Sequence, residues 1–461
     1  MKTNLLLRVL NGLLALILCL GMMSCSTEKA PESDANDDPD ASHIPDIEPL
    51  PDAPQDGEIG GRAPVNGLDS PEGVDDSKGG AIWDAPVSSD EPMEPMPPML
   101  PDSVDGYYGG DVIGGYVTGG GNISYQAGML TGAEWRDNDN YADFIDKLNA
   151  QDNGWYDIAA RWDLITTERI HVHVTDGATP VKQATVHLHA GGVLFWQAVT
   201  DADGDAYLFP YLDGSTAANV PMRVTVTTAD GQETVELAAG QRELTVSMQA
   251  DAAALRLDLM FVVDTTGSMG DELEYLKAEL GDVVRRASQN GQMPVRTSVN
   301  FYRDEGDEYV VRYFDFREDV DEAVRLISQQ SANGGGDYEE AVHTALDNAV
   351  NGHSWDVGAV KLLFLVLDAP PHETDEVIAS IGATVRAAAA QGIRIIPVSA
   401  SGVNTQCEVL FRSWAMLTGG TYTYLTNHSG IGNDHHEPDV EETTVEMLND
   451  MLVRIIGEYC R

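Results

Sequence analysis

The chain contains 461 residues, with 27 Lys and Arg against 75 Asp and Glu and a formal net charge of −48. This charge repels nucleic acids and anionic membrane surfaces, so neither is expected as a partner, while cations and basic surfaces are favoured. A hydrophobic content of 43% is enough for the cores of two or three domains, and four cysteines are too few for a disulfide framework.

The chain begins with the features of an export signal. A basic start accompanies an apolar run over residues 5–23, which is too short for a convincing membrane span. The following L-G-M-M-S-C segment resembles the lipobox of bacterial lipoproteins, with two methionines that depart from the usual pattern. The resemblance implies a signal peptide over residues 1–25, a lipid anchor on Cys25 and, because Ser26 follows, the outer membrane of the cell envelope. The alternatives are ordinary cleavage that leaves Cys25 as a thiol, and an uncleaved anchor.

Residues 26–121 are rich in proline, acidic residues and, towards their end, glycine. They carry most of the chain's 22 prolines and few large apolar side chains, so they cannot bury enough surface to fold. We therefore predict a disordered stalk that extends from the membrane. An acidic recruitment tail or a calcium buffer is the alternative interpretation.

Residues 122–165 are predicted to form a short helical connecting region. Apolar residues recur at helical spacing between residues 130 and 148. Three aspartates lie near the expected helix start, namely Asp137, Asp139 and Asp143. Carboxylates at this position stabilise the positive end of the helix dipole, and we favour that role over a cation-binding loop.

Over residues 166–250 the hydrophobic period changes to two, which predicts a small antiparallel β-sandwich. The V-T-D, P-V-x-x-A-T-V and T-D-A-D-G-D-A-Y-L-F segments resemble carboxypeptidase regulatory-like domains. The D-A-D-G-D segment from Asp201 imitates the opening of an EF-hand loop, but Leu212 stands where the loop's glutamate would be, which favours a hairpin turn. Four histidines alternate along two strands and form either a solvated face or a metal patch, namely His171, His173, His187 and His189.

Over residues 253–461 strands alternate with helices, which predicts a doubly wound parallel α/β sheet with residues 309–316 as an antiparallel edge strand. In such sheets ligands bind at the carboxyl ends of the strands. The first strand ends at Asp264 and is followed by Thr266 and Ser268, while a later apolar strand ends at Asp368. We expect these hard oxygen donors to meet at one edge and bind a divalent cation.

These segments resemble the von Willebrand factor type A domain and its metal-ion-dependent adhesion site. D-T-T-G-S carries the first loop, L-V-L-D carries the last aspartate, and N-G-G-G-D places Asp337 where the family usually has threonine. A third carboxylate increases neutralisation of the cation and reduces its need for an acidic group from a partner. The resemblance implies that Mg²⁺ or Ca²⁺ is bound by Asp264, Thr266, Ser268, Asp337 and Asp368. Asp304 ends the second strand at the same edge, where it either supports these ligands or caps a turn.

The sequence does not indicate an enzyme, because no nucleophile elbow, H-E-x-x-H, phosphate-binding or dinucleotide-binding motif follows a predicted strand. The expected function is binding of a partner protein, by a membrane-anchored protein outside the cytoplasm, through a divalent-cation-dependent adhesion-type site. One alternative is a metal-dependent hydrolase with Asp304 or His372 as general base. The other is a structural envelope component with an inert A domain.

Two further features leave alternatives open. Histidines and carboxylates also lie in loops that are predicted at the carboxyl ends of the strands, beside the expected cation site. They form either a zinc site or part of the partner surface, namely His372, His428, Asp434, His435, His436 and Glu437. Cys407 and Cys460 favour pairing by their even number in an exported protein, but the predicted topology places them at opposite edges of the sheet.

Overall fold

The computed structural model describes residues 56–60, 125–150, 152–215, 220–250, 256–289 and 293–461. The predicted signal peptide, Cys25 and most of the predicted stalk lie outside these residues, so the lipid anchor stays a prediction. Within the described ranges, no helix has both the length and the apolar character that a membrane span requires.

The described residues form a large mixed sheet covered by helices and a smaller two-sheet sandwich. The strands in chain order are β1 (Gly57–Ile59), β2 (Thr131–Trp135), β3 (Ile170–Asp176), β4 (Thr179–Pro180), β5 (Thr185–Ala190), β6 (Val193–Val199), β7 (Asp205–Leu208), β8 (Met222–Thr228), β9 (Gly231–Glu236), β10 (Glu243–Ser247), β11 (Arg256–Asp264), β12 (Val295–Tyr302), β13 (Val311–Arg317), β14 (Ala359–Leu367), β15 (Ile393–Ser399), β16 (Tyr422–Leu425) and β17 (Glu446–Met447). The α-helices are α1 (Tyr141–Asn149), α2 (Trp155–Arg161), α3 (Leu273–Gln289), α4 (Val320–Ser328), α5 (Val342–Asn351), α6 (Asp375–Gln391), α7 (Thr405–Thr418) and α8 (Leu448–Cys460).

The large sheet has the strand order β1-β13-β12-β11-β14-β15-β16-β2-β17 in the part of the chain that is described. β12, β11, β14, β15 and β16 are mutually parallel, and β13 runs antiparallel beside β12, as predicted for this segment. β11 and β14 are buried along almost their whole length, which explains their continuous apolar sequences. The predicted doubly wound α/β fold is therefore confirmed.

A separate hydrophobic core lies on each face of this sheet. One core contains side chains of α3, α4 and α8, and the other contains side chains of α5, α6 and α7. Successive side chains of a strand point to opposite faces, so the neighbours Met260 and Phe261 enter different cores. The Phe261 ring stacks on that of Phe364 in the next strand at 5.4 Å between centroids. Packing of this kind supports the register that brings the carboxyl ends of β11 and β14 side by side.

The segment predicted as a helix from residue 130 begins with a strand, so that prediction is wrong at Thr131–Trp135. This strand, β2, pairs antiparallel with β16 and β17, and α1 starts only after it. Strand pairing is favoured over a helix in this segment because it buries Ala133 and Trp135 in the sheet. It also depends on Gly132, since a Cβ atom there would lie 3.0 Å from the Tyr424 carbonyl oxygen. The connecting region therefore extends the large sheet.

Asp137 does not stabilise the start of a helix as predicted. It is buried and accepts hydrogen bonds from Arg412 of α7, with an Nη2–Oδ1 distance of 2.6 Å. The same guanidinium donates from Nη1 to Glu408 Oε1 at 2.9 Å. This buried ion cluster ties the connecting region to the helix layer of the large sheet.

The predicted disordered stalk is corrected at residues 56–60. Gly57–Ile59 forms β1, which pairs antiparallel with β13. Arg312 of β13 donates from Nε to Glu58 Oε1 at 2.6 Å, so the opposite charges of the two strands support the pairing.

The sandwich consists of one sheet of β10, β3, β4 and β7 and a second sheet of β6, β5, β8 and β9. β10 and β3 are parallel, so the predicted antiparallel arrangement is wrong at that pair. The D-A-D-G-D segment forms a turn in which Asp201 Oδ1 accepts the amides of Asp203 and Asp205, each at 2.9 Å. The four alternating histidines are divided between β3 and β5, which belong to different sheets, so they do not form one patch.

Replacing Arg412 with methionine should lower the free energy of unfolding by about 3–5 kcal/mol, because Asp137 and Glu408 would remain as buried carboxylates without their cation. Urea denaturation near neutral pH measures this loss. Arg325→Met is the matched control, because Arg325 pairs with Glu322 at the surface and its loss should leave the midpoint unchanged. Equal midpoints for wild type and Arg412→Met would contradict a structural role for the buried cluster.

Candidate metal centre

The loop after β11 gathers three predicted oxygen donors. Asp264 Oδ1 accepts the backbone amide of Thr266 at 2.8 Å and its hydroxyl at 2.6 Å. The Thr266 hydroxyl lies 3.2 Å from that of Ser268. Thr265 turns away from this group, since its hydroxyl donates to the Tyr302 carbonyl at 2.9 Å. The loop therefore presents one carboxylate and two hydroxyls together.

Asp368 joins this group from the neighbouring strand. β11 and β14 are adjacent and parallel, so their carboxyl ends lie side by side. Burial and, after it, the charge of Asp264 raise the pKa of Asp368 to about 7, although a hydrogen bond from Ser268 opposes the shift. Burial raises the pKa of Asp264 to about 6. Two carboxylates from distant parts of the sequence thus share one buried pocket.

Glu340 is a third carboxylate of this pocket, and the sequence analysis missed it. The residue lies directly before α5, is 2% exposed, and donates its amide to the Pro370 carbonyl at 3.0 Å. Burial and, after it, the charge of Asp264 raise the pKa of its carboxyl to about 9. Two consecutive glutamates before an apolar helix were the available signal, but their spacing does not show which one turns inward.

Within the described residues, three carboxylate oxygens of the pocket are buried without a hydrogen-bond partner, namely Asp264 Oδ2, Glu340 Oε2 and Asp368 Oδ1. A buried carboxylate oxygen that lacks a donor is costly, and like charges nearby increase the cost. A divalent cation supplies the missing positive charge, and oxygen donors of this kind are those that Mg²⁺ and Ca²⁺ prefer. The residues present therefore fit a hard divalent cation.

An outer group lies beside this pocket and contains Asp304, Asp337 and His372. One ligand atom from each residue lies within 4.8 Å of the other two. The His372 Nε2 atom is 2.8 Å from Asp304 Oδ1. Among the described residues, Asp264, Glu340 and Asp368 do not form a group of ligand atoms this close. Asp337, predicted as an inner ligand, is held in the outer group, and its role at the inner cation stays a prediction.

Asp307 fixes the loops that carry the outer group. Its Oδ2 atom accepts the amides of Asp304 at 3.1 Å and Gly335 at 2.9 Å. Gly334 has φ +82°, and a Cβ atom there would lie 2.4 Å from the Asp307 carboxylate. Glycine at position 334 is thus required for the close approach of this loop to Asp307, which also binds the Asp304 amide.

The other loop histidines pair separately, so the zinc site considered from the sequence is not formed by them. His435 Nε2 lies 2.6 Å from Glu272 Oε1, and His436 Nε2 lies 2.8 Å from Glu408 Oε2. The two thiols that remain in the described chain are also free, because Cys407 is buried in α7 and Cys460 ends α8 without a disulfide between them.

The fold and the oxygen-lined edge define an α/β domain of the kind that binds ligands at the carboxyl ends of its strands. Residues 258–410 match the von Willebrand factor type A domain family, so the chain contains a von Willebrand factor type A domain.

The chain is also similar to larger proteins. It is 25% identical over 215 residues to a protein described as an ariadne-like RING finger protein of Acanthamoeba polyphaga mimivirus, with 42% of this chain and 20% of that protein covered. It is 26% identical over 135 residues to the alpha-protein kinase vwkA of Dictyostelium discoideum, with 29% and 21% covered. The chain thus spans about a fifth of the length of each relative.

Among solved structures, the chain is similar to the conserved hypothetical protein BatB from Bacteroides thetaiotaomicron, with a TM-score of 0.30 and 13% identity. The match covers 44% of this chain and 96% of that one.

The free energy of unfolding of the cation-free protein should fall as the pH rises from about 4 to about 9. Carboxyl groups titrate near pH 4 in an unfolded chain, whereas the pKa values of Asp264, Asp368 and Glu340 are raised to about 6, 7 and 9. The folded state therefore binds more protons in this window, and its advantage is lost as these groups ionise. Denaturation in the presence of chelator measures the slope.

Saturating Mg²⁺ should oppose this fall, because the ion binds the ionised carboxylates. Asp368→Asn is the control and should make the chelator slope shallower, since one of the three groups no longer titrates. Stability that increases with pH in chelator, and does so equally in Asp368→Asn, would contradict the raised pKa values.

Proposed function

We propose that this protein binds a partner protein through a divalent cation held at the carboxyl edge of its A domain. Domains of this family are generally interaction modules. The observation that carries the proposal is the set of three buried, unpaired carboxylate oxygens from Asp264, Glu340 and Asp368. In the proposal Asp264, Thr266, Ser268 and Asp368 supply the direct ligands, and Mg²⁺ or Ca²⁺ is the ion.

The charge of the pocket defines the kind of group that the partner contributes. Asp264 and Asp368 together neutralise a dication, and Glu340 adds a third negative charge when ionised. The cation in such a site gains little from a further carboxylate. A neutral oxygen donor, such as a backbone carbonyl, a side-chain amide or a hydroxyl, is therefore the expected partner ligand, and basic side chains around it match the acidic chain.

The proposed setting is the outer membrane of a cell envelope, with the protein anchored by lipid on Cys25. The support is the resemblance of L-G-M-M-S-C to a lipobox and the stalk-like composition that follows. Acyl chains on the N-terminal cysteine hold a protein firmly at a bilayer when more than one is present. Metabolic labelling with a fatty acid, which Cys25→Ser should abolish, tests this part.

Asp264→Asn should abolish stabilisation by Mg²⁺. An ion present at about 100 times its Kd stabilises the wild type by about 2.7 kcal/mol, and the variant should lose this increment. The cation-free variant should also be more stable than the cation-free wild type, because one of the crowded buried charges is removed. Thermal melts and isothermal titration with Mg²⁺, Ca²⁺ and chelator measure both effects.

Asp258→Asn is the matched control, since Asp258 is fully buried in the same strand but at its opposite end, where Arg296 pairs with it at 2.6 Å. This variant should be less stable and still gain the full Mg²⁺ increment. A wild type that binds none of these ions, or an Asp264→Asn variant that binds them normally, would sink the proposed cation site.

The partner itself should be captured only when the cation is bound. Immobilised wild type should retain a protein from envelope extracts in Mg²⁺ and release it in chelator, and Asp264→Asn should not retain it. Asp258→Asn should retain the same protein as wild type. A partner that stays bound to wild type after chelation would show that the interaction does not use the cation.

A further inference from the structure

We propose that Asp304, Asp337 and His372 form a second cation site, separate from the inner pocket, for a divalent transition metal such as Zn²⁺, Mn²⁺ or Co²⁺. The proposal does not depend on the partner-binding role of the inner site. It concerns the outer group, whose residues come from three loops at the same edge of the sheet: after β12, before α5 and after β14.

The spacing of the outer group suits a single ion. Three atoms separated by no more than 4.8 Å have a common centre no farther than about 2.8 Å from each, and Zn²⁺ bonds to nitrogen and oxygen are about 2.0–2.2 Å long. Each ligand atom therefore has to move by less than about 1 Å. The His372 Nε2 and Asp304 Oδ1 atoms, 2.8 Å apart, are at hydrogen-bond distance, a contact that a shared metal ion would replace.

The group is held in place by contacts that do not involve a metal. Asp304 is only 8% exposed, and its amide is bound to Asp307, which also binds the Gly335 amide of the Asp337 loop. Glu340 continues that loop and is bound through its amide to the Pro370 carbonyl, close to His372 in the chain. The three loops are thus joined to one another before any ion arrives, which lowers the cost of organising the site.

A second imidazole, that of His343 in the first turn of α5, has a buried Nδ1 atom without a hydrogen-bond partner among the described residues. Its Nε2 atom lies 3.9 Å from Glu305 Oε1, and Glu305 directly follows Asp304. The ring therefore faces the loop that carries Asp304.

The donor chemistry separates the two sites. The inner pocket offers only oxygen, the donor set of Mg²⁺ and Ca²⁺. The outer group adds imidazole, which Zn²⁺, Mn²⁺ and Co²⁺ accept and which Mg²⁺ and Ca²⁺ rarely use. The chemistry therefore assigns a hard ion to the pocket and a transition metal to the outer group.

Co²⁺ absorption spectroscopy and isothermal titration with Zn²⁺ on the chelator-treated full chain test the proposal. Wild type should bind one Co²⁺ or Zn²⁺ with a visible spectrum that includes nitrogen ligation. His372→Ala and Asp337→Asn should each weaken this binding by about tenfold or more, as loss of a metal ligand does. His428→Ala is the control, since His428 is an exposed histidine of a nearby loop and its removal should change nothing.

Measuring both Mg²⁺ and Co²⁺ binding on the variants of each site distinguishes the two sites. Asp264→Asn should lose Mg²⁺ binding and keep the Co²⁺ spectrum, whereas His372→Ala should lose the spectrum and keep Mg²⁺ binding, because His372 is not among the proposed ligands of the inner cation. Co²⁺ or Zn²⁺ binding that survives both His372→Ala and Asp337→Asn would overturn the proposal. Loss of Co²⁺ in Asp264→Asn would overturn it as well, because it would show one shared centre.

Discussion

The structure depends on a set of buried carboxyl groups that repel one another at the carboxyl edge of the large sheet. Asp264, Asp368 and Glu340 are buried together, their pKa values are all raised, and each keeps one oxygen without a hydrogen-bond donor. Elsewhere in the same strand the chain treats a buried carboxylate differently, because Asp258 is neutralised by Arg296. The fold therefore neutralises its buried charge at one end of β11 and leaves it unneutralised at the end where ligands bind.

Hydrogen bonds between the surrounding loops hold these carboxyl groups close together. Asp271, the last residue of the 3-10 helix Gly267–Asp271, accepts from the Ser401 hydroxyl and from the amide of Asn433. Glu272 binds His435 of the same late loop. On the other side, the glycine-rich loop before α5 is bound through Asp307. The proposed cation ligands are thus attached to loops from several strands, so a partner at this edge would contact a connected surface.

The remaining parts of the chain enlarge the A domain and attach to it. β2 and β17 lengthen one edge of the sheet and β1 lengthens the other. The sandwich is joined to the sheet by hydrogen bonds, because Arg394 of β15 donates to the Val199 carbonyl at 2.6 Å and Gln197 donates to the Ala390 carbonyl at 2.8 Å. Both contacts lie at the amino ends of the parallel strands, opposite the edge that carries the proposed cation ligands.

By itself the sequence determined the α/β class, the strand that ends at Asp264, and the convergence of that residue with Asp368, because continuous apolar runs and polar strand ends are local patterns. Only the tertiary structure decided that Thr131–Trp135 is a strand, that Glu340 turns into the pocket, and that Asp337 lies with Asp304 and His372. The reason is physical: pairing with a distant edge and the inward turn of one glutamate depend on contacts between segments far apart in the chain, such as those of Gly132 with Tyr424 and of Gly335 with Asp307. No spacing within a segment encodes such contacts.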